Sequence, residues 1–481
     1  MAEKRPNLVF VFADQLRRCS LGYAGDKLAY TPNIDSLASQ SLDFYNCVSG
    51  HPVCSAYRAS LLTGKYTTST GMVINEIRLN PDHHPDTFAH VLRRNGYETD
   101  YIGKWHMYAN QFGYHDKPEN SFIPPGKHRL GFDGYFAAYN FHHQYYGGYY
   151  HLDTPEKIPM LGYEPDRLTD LCLNRIDHWV DAAQKGNDQP FAIFLSLPTP
   201  HDPWRPKDAP PELLEQFKDI EFPTPDNYSD TLDSHGDQWS NKQKSPEQIR
   251  SWMRVYYAMV ANIDENVGRI VKKLRECGID ENTILVFSSD HGEMFGAHGR
   301  MKKNIFYDEA VRIPFLVCYP GVFPEGSLCD VCLNTVDMMP TLLGLAGIEV
   351  PAAAEGMDVS RKARFGEGPE PLFAFMQNTG ACAIWEDGHE WRAVRDKRYT
   401  YAIYRSDRQE LMFDNIKDPR QKYNLIGDPD ALEAADRLRR GMREIMERLK
   451  DKFEISSYYR DHWVSPDRRI LRTATSEVRY T

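Results

Sequence analysis

Cys54 opens the stretch "CSAYRASLLTG", with Arg58 four positions further on. A lone thiol has two readings, an inert buried group or a nucleophile activated by its surroundings. The nine cysteines (Cys19, Cys47, Cys54, Cys172, Cys277, Cys318, Cys329, Cys332 and Cys382) are odd in number and scattered, and only Cys329 and Cys332 form a C-x-x-C. Neither a disulfide framework nor a thiolate metal site is expected, because a second pair is missing. Asp14, Lys104, His106, His201, Asp290 and His291 each stand where an apolar run ends. Groups of these types bind cations, offset anionic charge and move protons.

The elements that must position them can be read from the pattern. "NLVFVFADQ" is an apolar, β-branched and aromatic run with polar residues at its tip, the mark of a buried strand. "TPNIDSLASQS" begins a helix at Thr31-Pro32. "DTFAHVLRRNGYETDYIGKWH" gives a helix closed by Asn95-Gly96, then a strand leading to Lys104 and His106. "PFAIFLSLPTPHDPW" carries a strand to His201, and "NTILVFSSDHGE" another to Asp290 and His291. Residues 246–277 place Tyr256, Val260, Ile263, Val267, Ile270 and Leu274 at helical spacing, and Gly278 ends the helix. "VRIPFLVCYPG" is one more strand.

Continuous apolar strands alternating with helices predict an α/β fold, a large, mostly parallel mixed sheet flanked by helices. Its functional groups are expected at the carboxyl ends of the strands. After residue 370 the pattern turns to short antiparallel strands ("WRAVRDKRYTYAIYR", "QELMFDNIKDPRQKYNL") and a helix near 429–452. The expected organisation is a catalytic domain over 1–370 and a smaller C-terminal α+β subdomain over 371–481. Residues 201–245, rich in Pro, Asp, Ser and Gln, read as a surface insertion near the site.

Cys54-Ser55-Ala56-Tyr57-Arg58 with its "ASLLTG" extension resembles the signature of the type I, formylglycine-dependent sulfatases of the alkaline phosphatase superfamily. "PNLVFVFADQL", "TPNIDSLA", "GYETDYIGKWH", "PHDPW", "SSDHGEMFGAHG" and "FYDEAVRIPF" resemble further family blocks in family order, over about residues 6–320. The resemblance implies that Cys54 is oxidised to formylglycine by a maturation enzyme; Ala56 resembles the motif matured by radical enzymes. One hydroxyl of the hydrated aldehyde attacks sulfur and displaces the alcohol, and the other expels sulfate. It also implies a divalent cation on Asp14, Asp290 and modified Cys54. Many relatives have Asp-Asp and Asp-Asn where this chain has Asp14-Gln15 and Asp290-His291. Gln15 offers a carbonyl oxygen and His291 a nitrogen, so the metal set is Asp14, Gln15, Cys54, Asp290 and His291. Hard oxygen donors suit Ca²⁺, while the nitrogen keeps Mn²⁺ as the alternative. Lys104, His106, His201 and Lys303 match the sulfate-contacting and proton-transfer positions. Lys303 rather than Lys302 is taken because the family lysine stands four before Tyr307. His201 is assigned as the acid for the leaving alcohol and His106 as the base, both as imidazoles titrating near neutrality, and the two roles can be exchanged. Arg58 steadies the hydrate and the carboxylates.

The expected activity is hydrolysis of sulfate esters on a small sulfated saccharide. Two alternatives stand beside it: a phosphonate monoester or phosphodiester hydrolase, whose members also favour Asp-Gln and Asp-His, and a non-catalytic sulfated-glycan binding protein. A net charge of −11 speaks against nucleic-acid and anionic-membrane partners. No apolar run reaches membrane-spanning length and no secretion signal is seen, so a cytoplasmic location is expected. Oligomeric state is not legible. His298 and Arg300 are equally loop filler or substrate contacts. Trp391, Arg392 and Arg395 are either a strand face or substrate-directed, and "QYYGGYY" at 144–150 is taken as packing.

Overall fold

In the computed structural model, which describes residues 5–241 and 244–476, the first apolar run is the centre of the molecule. Strand β1 (Asn7–Asp14) is buried along its whole length. It pairs in parallel with β7 (Phe191–Pro200) on one side and β8 (Thr283–Ser289) on the other. Outside β7 lie β3 (Glu98–Lys104) and β4 (Phe136–Tyr139), both parallel. Outside β8, the antiparallel strand β9 (Phe315–Cys318) leads to β2 (Leu42–Asp43) and β10 (Ser327–Leu328), completing an eight-stranded mixed sheet. A hairpin of β5 (Tyr149–Tyr150) and β6 (Ile158–Pro159) stands apart from it.

Burial on both faces explains the unbroken apolar runs. Along β1, Leu8, Phe10 and Phe12 enter one core, and Val9, Val11 and Ala13 enter the other. Successive side chains of a strand point to opposite faces, so only a doubly covered sheet can bury them all. The second core is closed by the helices Pro32–Ala38, Glu164–Gln184 and Pro246–Glu276. The long helix 246–277 expected from periodicity is thus present, ending one residue earlier.

Because β1, β3, β7 and β8 run in parallel, their carboxyl tips share one edge of the sheet. The helix Cys54–Thr63 starts at the same edge, is buried throughout, and stops at Gly64, whose φ of 64° lets its N–H reach Ser60 O. A left-handed residue at this place suits glycine and ends the helix.

The C-terminal part is an antiparallel sheet of β11 (Ala374–Asn378), β12 (Trp391–Arg395), β13 (Tyr399–Tyr404) and β14 (Glu410–Asp414). The helix Leu432–Arg448 covers one face. The helix expected over 429–452 is shorter, because Pro429–Ala431 forms a 3₁₀ turn before it. Of the second predicted strand stretch only Glu410–Asp414 is extended; its remainder is loop. Among the described residues no helix is long and apolar enough to cross a membrane.

Candidate active site

The sheet edge brings the sequence-predicted groups together. Asp14 ends β1, Lys104 ends β3, His201 follows β7 and Asp290 follows β8. Cys54 occupies the first turn of its helix, where the partial positive charge of the helix N-terminus falls. One turn on, Arg58 Nη2 reaches Asp14 Oδ2 at 3.1 Å and lies 3.7 Å from Asp290 Oδ2. Its Nη1 donates to Lys104 O and Ser196 Oγ, both at 2.6 Å, so the guanidinium ties three strand tips to the helix.

Donor atoms of Asp14, Cys54, Asp290 and His291 lie within 4.8 Å of one another, all buried. Cys54 Sγ is 3.2 Å from His291 Nε2 and 3.6 Å from Asp14 Oδ1. His291 Nδ1 donates to Gly292 O at 3.0 Å, which leaves Nε2 as a lone-pair donor facing the group. Asp290 Oδ1 accepts from the backbone N–H of Gln15 and of His291. Asp290 Oδ2 is buried without a hydrogen-bond partner among the described residues. Burial, then the Asp14 charge, push Asp290 up to about 7. Two buried carboxylates, one with an orphaned oxygen, and a correctly turned imidazole fit a divalent cation, whose charge would hold both acids ionised. Gln15 meets the site through other bonds: its Oε1 accepts from Lys303 and its Nε2 donates to Glu293.

Electrostatics distinguish the groups. Burial opposes ionisation of Asp14, but the Lys104 ammonium and the Arg58 guanidinium outweigh it and hold the carboxyl well below its ordinary range. Lys104 Nζ sits 2.5 Å from Asp14 Oδ2. Burial, then Asp14, push the Cys54 thiol up to about 12. As a thiol the residue therefore stays protonated at neutral pH, a poor nucleophile.

Both histidines differ from the expectation of titration near neutrality. Burial and the Lys303 ammonium hold His201 well below its ordinary value, and burial with Lys104 does the same to His106. Both are neutral. His201 Nδ1 donates to Asp202 O at 2.8 Å, and its Nε2 accepts from Lys303 Nζ at 2.9 Å.

Cys54, His106, His201 and Lys303 line a cavity of about 260 Å³. Its walls include groups that the sequence did not single out: Glu76, His115, Phe141, His143, Asp237 and Trp239. His143 stacks on His201, and Phe141 on His106. Asp237 and Trp239 come from the 201–245 insertion, which does reach the site. Glu76, in a loop after the Cys54 helix, carried no pattern signal. Its φ of 63° is the trace that structure adds.

Other candidates turn out to be structural. Arg300 is buried against Asp233 and Ser240, and His298 stacks on Tyr307 outside the cavity. Trp391, Arg392 and Arg395 are buried rather than solvated or substrate-directed; Arg392 pairs with Asp451 and Arg395 with Asp308. Tyr145, from the tyrosine run, donates to the carbonyls of His201 and Asp202.

Comparison with known proteins follows the same lines. A family model described as Sulfatase matches residues 6–348, and one described as N-sulphoglucosamine sulphohydrolase, C-terminal, matches 296–448. The chain is 34% identical to an ulvan-active sulfatase of Formosa agariphila over 95% of this chain and 84% of that one. It is 26% identical to an N-acetylglucosamine-6-O-sulfatase of Bacteroides thetaiotaomicron, over 93% of this chain and 87% of the other. A crystal structure from Bacteroides fragilis assigned as a sulfatase superposes with a TM-score of 0.80 at 29% identity, covering 95% of this chain and 98% of that one.

Proposed function

The chain belongs to the sulfatase family, and on that premise we propose that it hydrolyses a sulfate ester on a small sulfated saccharide through residue 54. The observation that carries the reading is the convergence of Asp14, Cys54, Asp290 and His291 beside Lys104 and Lys303 at one sheet edge. Conversion of Cys54 to formylglycine would supply an oxygen nucleophile where the buried thiol offers none. Asp14, Asp290 and His291 would hold one divalent cation, which offsets the charge of the sulfate. We take Ca²⁺ as that ion; metal analysis of the purified protein tests the choice, and Mn²⁺ found bound in its place would overturn it.

The chain's own residues account for the rest. Lys104 and Lys303 face the anionic group and neutralise its oxygens. Arg58 fixes the two carboxylates relative to the Cys54 helix. Lys303 and His201 act as a pair: Nε2 of the neutral ring is bare, so the proton for the leaving alcohol originates on the Lys303 ammonium and passes through Nε2, leaving the lysine as a neutral amine. His106 takes the proton that must leave residue 54. The domain border near residue 370 is part of the same reading, with Cys382 and Ala383, between β11 and β12, reaching the cavity wall.

The substrate reading rests on the relatives and on the cavity. One relative is named for ulvan and another for N-acetylglucosamine 6-O-sulfate. At about 260 Å³ the cavity is smaller than the ~300–1,000 Å³ typical of sites for drug-sized ligands. A single sulfated ring at a chain end fits it better than the interior of a polymer, which the net charge of −11 also repels. Nine free thiols support a reducing, cytoplasmic compartment for the protein.

The test is release of inorganic sulfate from a panel of sulfated mono- and disaccharides, run beside an aryl sulfate and an aryl phosphonate monoester. Turnover of sulfates above the phosphonate supports the reading. Preference for the phosphonate would move the protein to the other branch of its superfamily.

A further inference from the structure

Glu76 and His106 face each other in the cavity wall, with His106 Nε2 3.0 Å from Glu76 Oε1. Both side chains are buried. Both residues hold left-handed backbone, with φ of 63° at Glu76 and 58° at His106. Such backbone is uncommon outside glycine and persists where the surroundings over-determine it. Two such residues aimed at one another point to a geometry that matters. The Glu76 carbonyl is held by the Arg468 side chain, and the Phe141 ring stacks on His106 at 4.4 Å between centroids. His106 Nδ1 is buried and has no hydrogen-bond partner among the described residues.

We propose that Glu76 is a positioning residue: by accepting the Nε2 proton of His106 it fixes the tautomer whose free lone pair is on Nδ1, the nitrogen left to take a proton from residue 54. The inference rests on the reading of His106 as the base. An ionised carboxylate can only accept, so Nε2 must carry the hydrogen. A neutral imidazole has one N–H, so Nδ1 is then bare. Burial, followed by Lys104 and Arg58, keeps the ring neutral.

A protonated Glu76 would undo this. Its O–H could donate to Nε2 and drive the ring proton to Nδ1, where it blocks the base. Burial pushes Glu76 up to about 7, against the pull of Arg468 and Lys104. Lys104 faces the pair from β3, Arg468 from the C-terminal segment, and His115 from the stretch between β3 and β4, its Nδ1 3.6 Å from Glu76 Oε2. Arg58 and Asp14 lie behind them. The base is therefore set correctly as pH rises through neutrality.

Two readouts test the proposal. In ¹⁵N-histidine-labelled protein at pH 8, with His106 assigned by its loss in His106→Gln, the expected signals are a protonated Nε2 and a bare Nδ1. A protonated Nδ1 in the wild type overturns the proposal, whatever the activity. Kinetically, Glu76→Gln replaces an acceptor-only carboxylate by an amide that can also donate to Nε2, so the ring is no longer held in one tautomer. It should lower kcat by ~10²-fold, leave KM within about twofold, and remove the rise of kcat through neutral pH, while Glu76→Asp restores part of kcat. If Glu76→Gln matches wild type while His106→Ala loses turnover, Glu76 has no such role. If His106→Ala keeps wild-type kcat, it is the reading of His106 as base that fails, and this inference with it.

Discussion

Two buried groupings of arginine and aspartate, one at the tip of β1 and one behind β12, use the same chemistry to opposite ends. Behind β12, Arg392 Nε and Nη2 meet Asp451 at 2.5 and 2.8 Å, and the carboxylate also accepts from Gln377 Nε2 and Phe453 N. One acid meets one base and every acid oxygen is satisfied. At the tip of β1, Arg58 serves two carboxylates, Lys104 crowds one of them, and Asp290 Oδ2, 3.7 Å from Arg58, finds no hydrogen-bond partner among the described residues. A closed pair holds structure together, whereas two adjoining acids, one with an unfilled oxygen, make a place for a cation. Burial and charge alone do not separate the two; the state of the remaining lone pairs does.

The largest effect should come from removing the carboxylate with the unfilled oxygen. Asp290→Asn is expected to lower sulfate-ester turnover by on the order of 10³–10⁴-fold, the several kcal/mol that a cation contributes to offsetting charge. Thermal unfolding of the chelated protein should be unchanged or improved, since the substitution removes repulsion with Asp14. A fall in stability with activity retained would erase the distinction between the groupings. Arg392→Ala should do the converse. Leaving Asp451 buried and unpaired is expected to destabilise by about 3–5 kcal/mol, read by denaturant unfolding, and any lost activity should track the unfolded fraction.

A smaller effect separates the two regions by sign. Asp290 is raised from its ordinary 3.8 to about 7 in the protein. Its contribution to stability is therefore full below the ordinary value and lost as pH rises through about 7. Asp451 is lowered, because Arg392 outweighs the burial that opposes its charge. Its contribution is present above the ordinary value and lost as pH falls through the depressed one. In chelator, subtracting each Asp→Asn variant from wild type should give stability differences of opposite pH slope, and the same slope for both would contradict the assignment. The smallest effect belongs to His298→Ala. It lies outside the cavity, stacked on Tyr307, and turnover should stay within about twofold of wild type.

The strand tips were legible from the sequence because an apolar run ending in an acid or a basic group carries its own signal. Asp14, Lys104, His201 and Asp290 are all of this kind, and parallel strand order then brings them together. The cavity wall was not legible in the same way. Glu76, His115, His143 and Asp237 lie in loops whose path follows no periodicity, so only coordinates show which of them face Cys54. Arg392 and Arg395 illustrate the reverse. Three residues apart, they fall on opposite faces of β12, where the sequence leaves either one exposed or turned to substrate; the C-terminal sheet is covered on both sides, and each arginine meets its own acid, Asp451 or Asp308. Titration was also beyond reach: neutral His201 and His106 follow from burial beside Lys303 and Lys104, a fact of packing.

The central claim is that residue 54 acts through oxygen beside a bound cation. It is tested most directly by mass spectrometry of the tryptic peptide Leu28–Arg58 from protein made in its native host. The account predicts that position 54 has lost its thiol sulfur for a carbonyl oxygen while Cys47 in the same peptide keeps its own. A peptide with both thiols intact, from protein that hydrolyses sulfate esters at full rate, would contradict it.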